Sequence, residues 1–403
     1  MRWMTSDGNR PSISDRFLAM AFGIADKLRY GELTIKAPDG TIRHFKGRED
    51  GPKARLDLTS SRAIRRFMTG GSLGFAEAYL DGDWDSPDLA RLLELLALNE
   101  EAYEEHFYGQ GWYRWIARFR HLLRPNSRSG SRRNILAHYD LGNAFYERWL
   151  DPGMTYSSAI FDPDDLSLEH AQQAKYASLA NKLSLQPDHR LLEIGCGWGG
   201  FAEFAAREVG THVTAITISE EQHAFAAARI QNAGLNEKID LRLQDYRDVD
   251  GQFDRVASIE MFEAVGESYW PVYFGKLRDA LTQDGLLGLQ IITIADQYFE
   301  TYRRGADFIQ RYVFPGGMLP SPTALKAQMD KAGLQITAEK SFGHDYSKTL
   351  STWNRRFHEA WPDILQMGFD QRFKRLWHYY LSSCEAGFKV GWTDVCQLTV
   401  RRA

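Results

Sequence analysis

Cysteine is scarce in this chain: 403 residues hold three, Cys196, Cys384 and Cys396. Three are too few for a disulfide framework and none pairs as CxxC, so a reducing, cytoplasmic setting is expected and no metal site is. Long apolar runs are missing too. No stretch reaches the ~18 consecutive apolar residues of a membrane-crossing helix. The N-terminal MRWMTSDGNRPSISDRF lacks an apolar core ahead of a small-residue cleavage site, which argues against a secretory signal. Net charge is only −4, from 49 Lys+Arg against 53 Asp+Glu, so nucleic acid is not expected as a general partner. What is there, 43% apolar and 25% charged residues, is an ordinary globular composition that excludes wholesale disorder and a collagen-like chain. The length exceeds that of one usual compact domain and points to two.

One further absence is local. Between His106 and Tyr139 there is no Asp or Glu, while Arg114, Arg118, Arg120, Arg124, Arg128, Arg132 and Arg133 are all basic. Trp112, Trp115, Ile116, Phe119, Leu122 and Leu123 recur there at helical spacing, so an amphipathic helix is expected from about Gly111 to Arg124. The sequence from Arg124 to Arg133 reads as a polar linker rich in Ser and Arg. These signals divide the chain into a docking domain over 1–124, a basic linker over 125–133 and a catalytic domain over 134–403.

The first domain is expected to be small, mainly helical and α+β. A hairpin turned at Pro38-Asp39-Gly40 joins Leu33–Lys36 to Thr41–Phe45, and Leu56–Leu58 supplies a third strand. Helices are expected over 60–68, 73–80 and 87–98, the last capped by Ser86. From about Asn134 onward, short apolar runs at 190–194, 212–217, 239–243, 253–258 and 286–292 alternate with helical segments at 200–208, 220–233 and 270–281. That alternation implies α/β architecture with a parallel sheet covered on both faces. The helical run from Arg372 to Phe388 reads as packing or dimer surface.

The strongest motif is Leu191-Leu-Glu-Ile-Gly-Cys-Gly-Trp-Gly-Gly200. An apolar strand ends in a glycine turn that lets a ligand approach the backbone before the next helix opens. Trp198 and Gly199 interrupt the dinucleotide spacing GxGxxG. The motif instead resembles the first motif of class I S-adenosylmethionine (SAM)-dependent methyltransferases, a Rossmann-like fold. Candidate cofactor contacts are then Glu193, Gly195, Gly197, Trp198 and Gly199 in the turn, with Thr217, Ser219 and Gln222 after the second strand and Asp245 and Tyr246 after the third. Cys196, inside the turn, is expected to be a buried packing residue.

Residues 138–401 further resemble the cyclopropane-fatty-acyl-phospholipid synthase family, which includes the mycolic-acid cyclopropane synthases. The matching blocks include His138–Asn143, Met154–Phe161, Leu168–Lys175, Gln244–Asp248, Ile259–Gly266, Tyr312–Ser321 and His344–Leu350, besides the glycine turn. The resemblance implies methyl transfer from SAM to the cis double bond of an unsaturated phospholipid acyl chain. A carbocation forms, and a base then removes a proton so that a cyclopropane closes. It implies a bound bicarbonate as that base, gripped through positions matching Glu263, Tyr346 and the Ile292 backbone. Ser158 stands where the family commonly has Cys, Gln290 where it has His, and Ala264 where a further His often follows the Glu. Either the anion stays bound through Ser and Gln, or proton removal is redirected and a methyl or methylene branch results. Tyr156, Ser157 and Ile259 fall among the implied SAM contacts, and Tyr139, Phe314, Gly316 and Gly317 among those of the acyl chain. A homodimer is implied as well. Trp112, Trp115, Arg118, Arg120 and Arg124 would meet an anionic membrane surface, placing the enzyme peripherally on its inner face; a linker helix packed between domains is the alternative. A small-molecule O- or N-methyltransferase and an inactive lipid-binding protein are the competing classes.

Overall fold

The computed structural model describes residues 13–100 and 141–403. The expected amphipathic helix, the linker over 125–133, and with them Trp112, Trp115, Arg118, Arg120, Arg124 and Tyr139, lie outside the described residues. The remainder forms two compact units, one of 13–100 with Phe369–Val390, the other of 141–368 with Gly391–Ala403.

In the first unit, strands β1 (Tyr30–Lys36), β2 (Ile42–Lys46), β3 (Glu49–Leu58) and β4 (Trp84–Asp85) form a sheet in the order β2-β1-β3-β4. The hairpin expected from Pro38-Asp39-Gly40 is present, with Leu33 opposite Phe45 and Ile35 opposite Arg43. The two expected helices at 60–80 run together as Arg62–Leu80, broken by Gly71 at φ 57°. Helix Leu89–Leu98 is capped by Asp88, not Ser86: the Asp88 side chain accepts from the Arg91 N–H, while Ser86 Oγ bonds the Asp88 carbonyl. Both residues are competent caps, and the turn after Trp84 decides between them.

Helix Gln371–Lys389 belongs to this first unit, whereas the sequence grouped 134–403 together. Arg375 fixes it there. The Arg375 guanidinium lies 3.9 Å above the Tyr79 ring, and it donates to the carbonyls of Tyr79 and Trp84 and to Asp85. Tyr379, Tyr380 and Leu381 are buried, so the apolar side of this helix is packing.

The second unit holds β5 (Arg190–Ile194), β6 (His212–Thr217), β7 (Ile239–Leu243), β8 (Phe253–Ile259), β9 (Leu281–Ile294), β10 (Leu334–Ser341) and β11 (Thr393–Arg402). Their order is β10-β11-β9-β8-β5-β6-β7, with β7 through β9 parallel and β11 antiparallel to both neighbours. This is the sheet of a class I methyltransferase. Leu192, Val256, Leu287 and Leu289 are fully buried, as expected when helices cover both faces. Each such side chain contributes about 1.5–3 kcal/mol of transfer free energy. Strand order reverses between β5 and β8, which opens a crevice at their carboxyl ends, where ligands bind in open α/β sheets.

Candidate active site

The glycine turn leaves β5 at this crevice. Gly195, Gly197 and Gly199 have φ of 81°, 53° and 84°, in the left-handed region that glycine enters without a Cβ penalty. A Cβ on Gly195 would lie 2.6 Å from Met261 Cγ, whereas one on Gly197 would meet nothing within 4 Å. The backbone at Gly197 therefore faces open space, as a cradle for a ligand requires. Glu193 is buried beneath the turn, and its Oε2 has no hydrogen-bond partner among the described residues. Burial pushes its carboxyl up to about 8, against the pull of Lys175. Trp198 is buried, with its indole N–H donating to Asn143 Oδ1 at 2.7 Å and its carbonyl accepting from Arg229. Cys196 is buried and its thiol is held protonated by that burial.

After β6, Thr217 Oγ1 donates to Gln222 Oε1 at 2.8 Å, and Ser219 caps the helix Glu220–Asn232. After β7, Asp245 pairs with Arg247 at 2.6 Å, and Tyr246 packs edge-on against Tyr273. Ile259 closes β8. These expected cofactor contacts thus lie at the carboxyl ends of neighbouring strands, and the glycine turn, Thr217 to Gln222 and Asp245-Tyr246 are the groups that would hold SAM there.

The segment Met154–Phe161 crosses the same crevice, tied from three sides. Asp151 accepts from the Gly153 and Thr155 N–H groups and forms its entry turn. From helix Leu168–Lys182, Lys175 Nζ donates to Ser157 Oγ at 2.7 Å and Gln172 to the Ser157 carbonyl. From helix Gly343–Glu359, Thr349 Oγ1 accepts the Ala159 N–H and Asp345 the Phe161 N–H. The third tie is Glu260, one residue past β8, which accepts the Ser158 N–H at 2.8 Å.

Glu260 is the residue that sequence reasoning missed. Its Oε1 accepts the Ser158 N–H and the Gln290 amide at 2.7 Å, and its Oε2 accepts the Tyr346 hydroxyl at 2.7 Å. Three of the five groups expected to hold bicarbonate are therefore committed to one carboxylate of the chain itself. The other two meet each other, since the Ile292 N–H donates to Glu263 Oε1 at 2.6 Å. Ser158 departs from its expected role: its hydroxyl donates to the Ala159 carbonyl, and its backbone N–H serves the carboxylate. The Gln290 amide oxygen accepts from Gln397, so neither end of that side chain is left over. With Glu260 in place these residues do not fit a bicarbonate.

Burial raises both carboxyls. Glu263 rises to about 8, with the Glu260 charge adding to the effect, and its Oε2 has no partner among the described residues. Glu260 rises as well, but Tyr346, Gln290 and the Ser158 N–H oppose the shift by favouring its anion. Lys175 is fully buried and pushed down to about 7 by desolvation, with Glu260, Asp151 and Glu193 holding it up. A signal for Glu260 existed in the sequence: a second acid, three residues before Glu263, directly after an apolar strand at the crevice.

Of the acyl-chain candidates, those in the loop 314–317 lie against Glu263. The Met318 N–H donates to the Glu263 carbonyl, bringing the loop of Phe314, Gly316 and Gly317 against it. Tyr156 stands 5.4 Å from Trp353, 5.5 Å from Trp149 and 6.4 Å from Phe314, centroid to centroid, and Tyr346 packs edge-on to Trp353.

Residues 126–398 match the family described as mycolic acid cyclopropane synthetase. The chain is 38% identical over 348 residues to the tuberculostearic acid methyltransferase UfaA1 of Mycobacterium tuberculosis, covering 84% of this chain and 81% of that protein. It is 37% identical over 343 residues to the cyclopropane-fatty-acyl-phospholipid synthase of Escherichia coli, covering 84% and 85%. Among solved structures, the mycolic acid cyclopropane synthase CmaA1 complexed with SAH and CTAB superposes with a TM-score of 0.64 at 30% identity, over 70% of this chain and 99% of that one. The chain belongs to the mycolic acid cyclopropane synthetase family and is a SAM-dependent methyltransferase.

Proposed function

We propose that the enzyme adds a one-carbon unit to the cis double bond of an unsaturated acyl chain in a membrane phospholipid and closes a cyclopropane. SAM supplies an electrophilic methyl group. The observation that carries the reading is a buried carboxylate pair, Glu260 and Glu263, joined through Tyr346 to the aromatic cluster of Trp353, Tyr156 and Trp149. Methylation of an alkene leaves a carbocation, which needs electron-rich faces, an acceptor for its proton and no nucleophile to trap it. Aromatic rings provide the first and an acid-base carboxylate the second. Cys196 and Cys396, the two cysteines of this unit, are both buried, and burial pushes both thiols up, so neither offers a thiolate to trap the cation.

A second reading, loss of a chain proton to leave a methyl-branched alkene, or a hydride shift followed by loss of a methyl proton to leave a methylene branch, draws on Ser158, Gln290 and Ala264 standing where thiol and imidazole groups are common. The names of the relatives include both a cyclopropane synthase and a tuberculostearic acid methyltransferase. The arginine-rich segment around Arg118 and Arg120 is our candidate for the contact with an anionic bilayer, and the homodimer remains part of the proposal. Incubation with SAM and unsaturated phospholipid vesicles, followed by fatty acid analysis, separates the readings. A gain of one CH2 with loss of the alkene hydrogens gives the ring, retained unsaturation gives the branch, and an unchanged acyl pool contradicts both.

A further inference from the structure

We propose that the Glu260 carboxylate is this enzyme's own general base, covalently built in where related enzymes are expected to recruit bicarbonate; this rests on the acyl-methylation reading above. A carboxylate and a bicarbonate present the same planar pair of oxygens, and here the pair belongs to the chain. Both oxygens are fixed. Among the described residues Oε1 takes two donors, the Ser158 N–H and the Gln290 amide, while Oε2 takes one, the Tyr346 hydroxyl, and keeps acceptor capacity for a proton.

The backbone adds an independent observation. Glu260 sits at φ 47°, one of three non-glycine residues in the described chain with positive φ. That conformation is strained for a residue with a Cβ, and such strain collects at functional sites. Here it turns the side chain at the end of β8 back toward Ser158 and Tyr346 instead of letting it follow the strand. Lys175, buried nearby, offsets the charge without a direct bond to it. Glu263, bonded to Ile292 and raised by burial, stays the protonated partner, so that only one of the two acids need carry charge.

The step balances within these groups. Methyl transfer breaks the sulfonium S–CH3 bond, and the alkene π pair forms the new C–CH3 bond, releasing neutral S-adenosylhomocysteine and leaving a cation on the adjacent carbon. Glu260 then accepts one proton. The freed C–H pair forms either the third side of the ring or a new C=C bond, and the proton passes to solvent between turnovers.

The test is bicarbonate dependence. The purified full chain is assayed for methyl transfer to unsaturated phospholipid vesicles in CO2-free buffer with and without added sodium bicarbonate, as wild type, Glu260→Gly and Glu260→Gln. Wild type should keep its rate without bicarbonate. Glu260→Gly suits the positive φ and vacates the three donors, so it should lose about 100-fold or more in CO2-free buffer and regain much of that on adding bicarbonate. Glu260→Gln should stay low in both, while calorimetric SAM binding and melting temperature remain near wild type. A wild-type enzyme that requires bicarbonate, or a Glu260→Gln enzyme at wild-type rate, overturns the proposal and leaves the methylation reading standing. Should Glu260→Gly fail to fold, the Gln variant and the wild-type bicarbonate response still decide. Wild type that leaves vesicle lipid unmethylated overturns both.

Discussion

The Tyr346 hydroxyl donates to Glu260 Oε2 at 2.7 Å, joining helix Gly343–Glu359 to the end of β8 across 86 positions of sequence. Among the described residues it is the one donor on the oxygen that has room for a proton. Tyr346→Phe should therefore lower kcat about 100-fold, the scale of losing one fixed donor to a reacting group, with SAM affinity unchanged. Steady-state rates on vesicles, paired with calorimetry, check this. An unchanged kcat would remove Tyr346 from the account.

Lys175 tests the electrostatics of the same group. Its ammonium is the positive charge among Glu260, Glu193 and Asp151, and it favours their anions. Lys175→Met should raise the Glu260 carboxyl further, so the acidic limb of the kcat–pH profile moves to higher pH. Activity then falls more at low pH than at high pH. A uniform loss across the profile would point to damage of the Ser157 segment instead.

Glu263 makes a stability prediction with the opposite emphasis. Burial raises its folded carboxyl to about 8, above the ordinary value of 4.5. The folded state then holds a proton that the unfolded state releases. Stability from this group is complete below pH 4.5 and is lost as pH rises through 8. Glu263→Gln keeps the acceptor for the Ile292 N–H and removes the titration. Its melting temperature should gain on wild type steadily between pH 5 and 8, and parallel curves for the two proteins would contradict this.

Membrane contact is predicted from the sequence of the basic segment alone. Arg118→Glu together with Arg120→Glu should weaken sedimentation with anionic vesicles, and high salt should release the wild type. Binding that ignores both changes would return the segment to a linker role.

The sheet was legible because its strands are short apolar runs between helical periods: Arg190–Ile194, His212–Thr217 and Ile239–Leu243 fall where the pattern put them. Periodicity shows an element and its buried face. It does not show which neighbour covers that face, so the helix carrying Tyr379 and Tyr380 was grouped with the wrong unit. The site was legible where a residue type is tied to a local turn, as at Gly195, Gly197 and Gly199. Glu260 was passed over for a different reason. Its place directly after the apolar strand was readable, but its role depends on one left-handed backbone angle and on donors from three distant segments, which leave no local pattern. The hydroxyl of Ser158 misled likewise: side-chain chemistry pointed to the Oγ, and the fold uses the backbone N–H.

The central claim is that a proton leaves an acyl cation inside this site. Incubation with SAM carrying a trideuterated methyl group and unsaturated phospholipid vesicles measures it directly by mass spectrometry of the acyl chains. Cyclopropane closure predicts product chains that retain two of the three deuterium atoms and have lost the double bond. Three retained deuterium atoms would place proton loss on the chain and establish the methyl-branched alkene instead, and two retained beside a surviving double bond would establish the methylene branch. Acyl chains without deuterium, in a protein that binds SAM, would contradict the account.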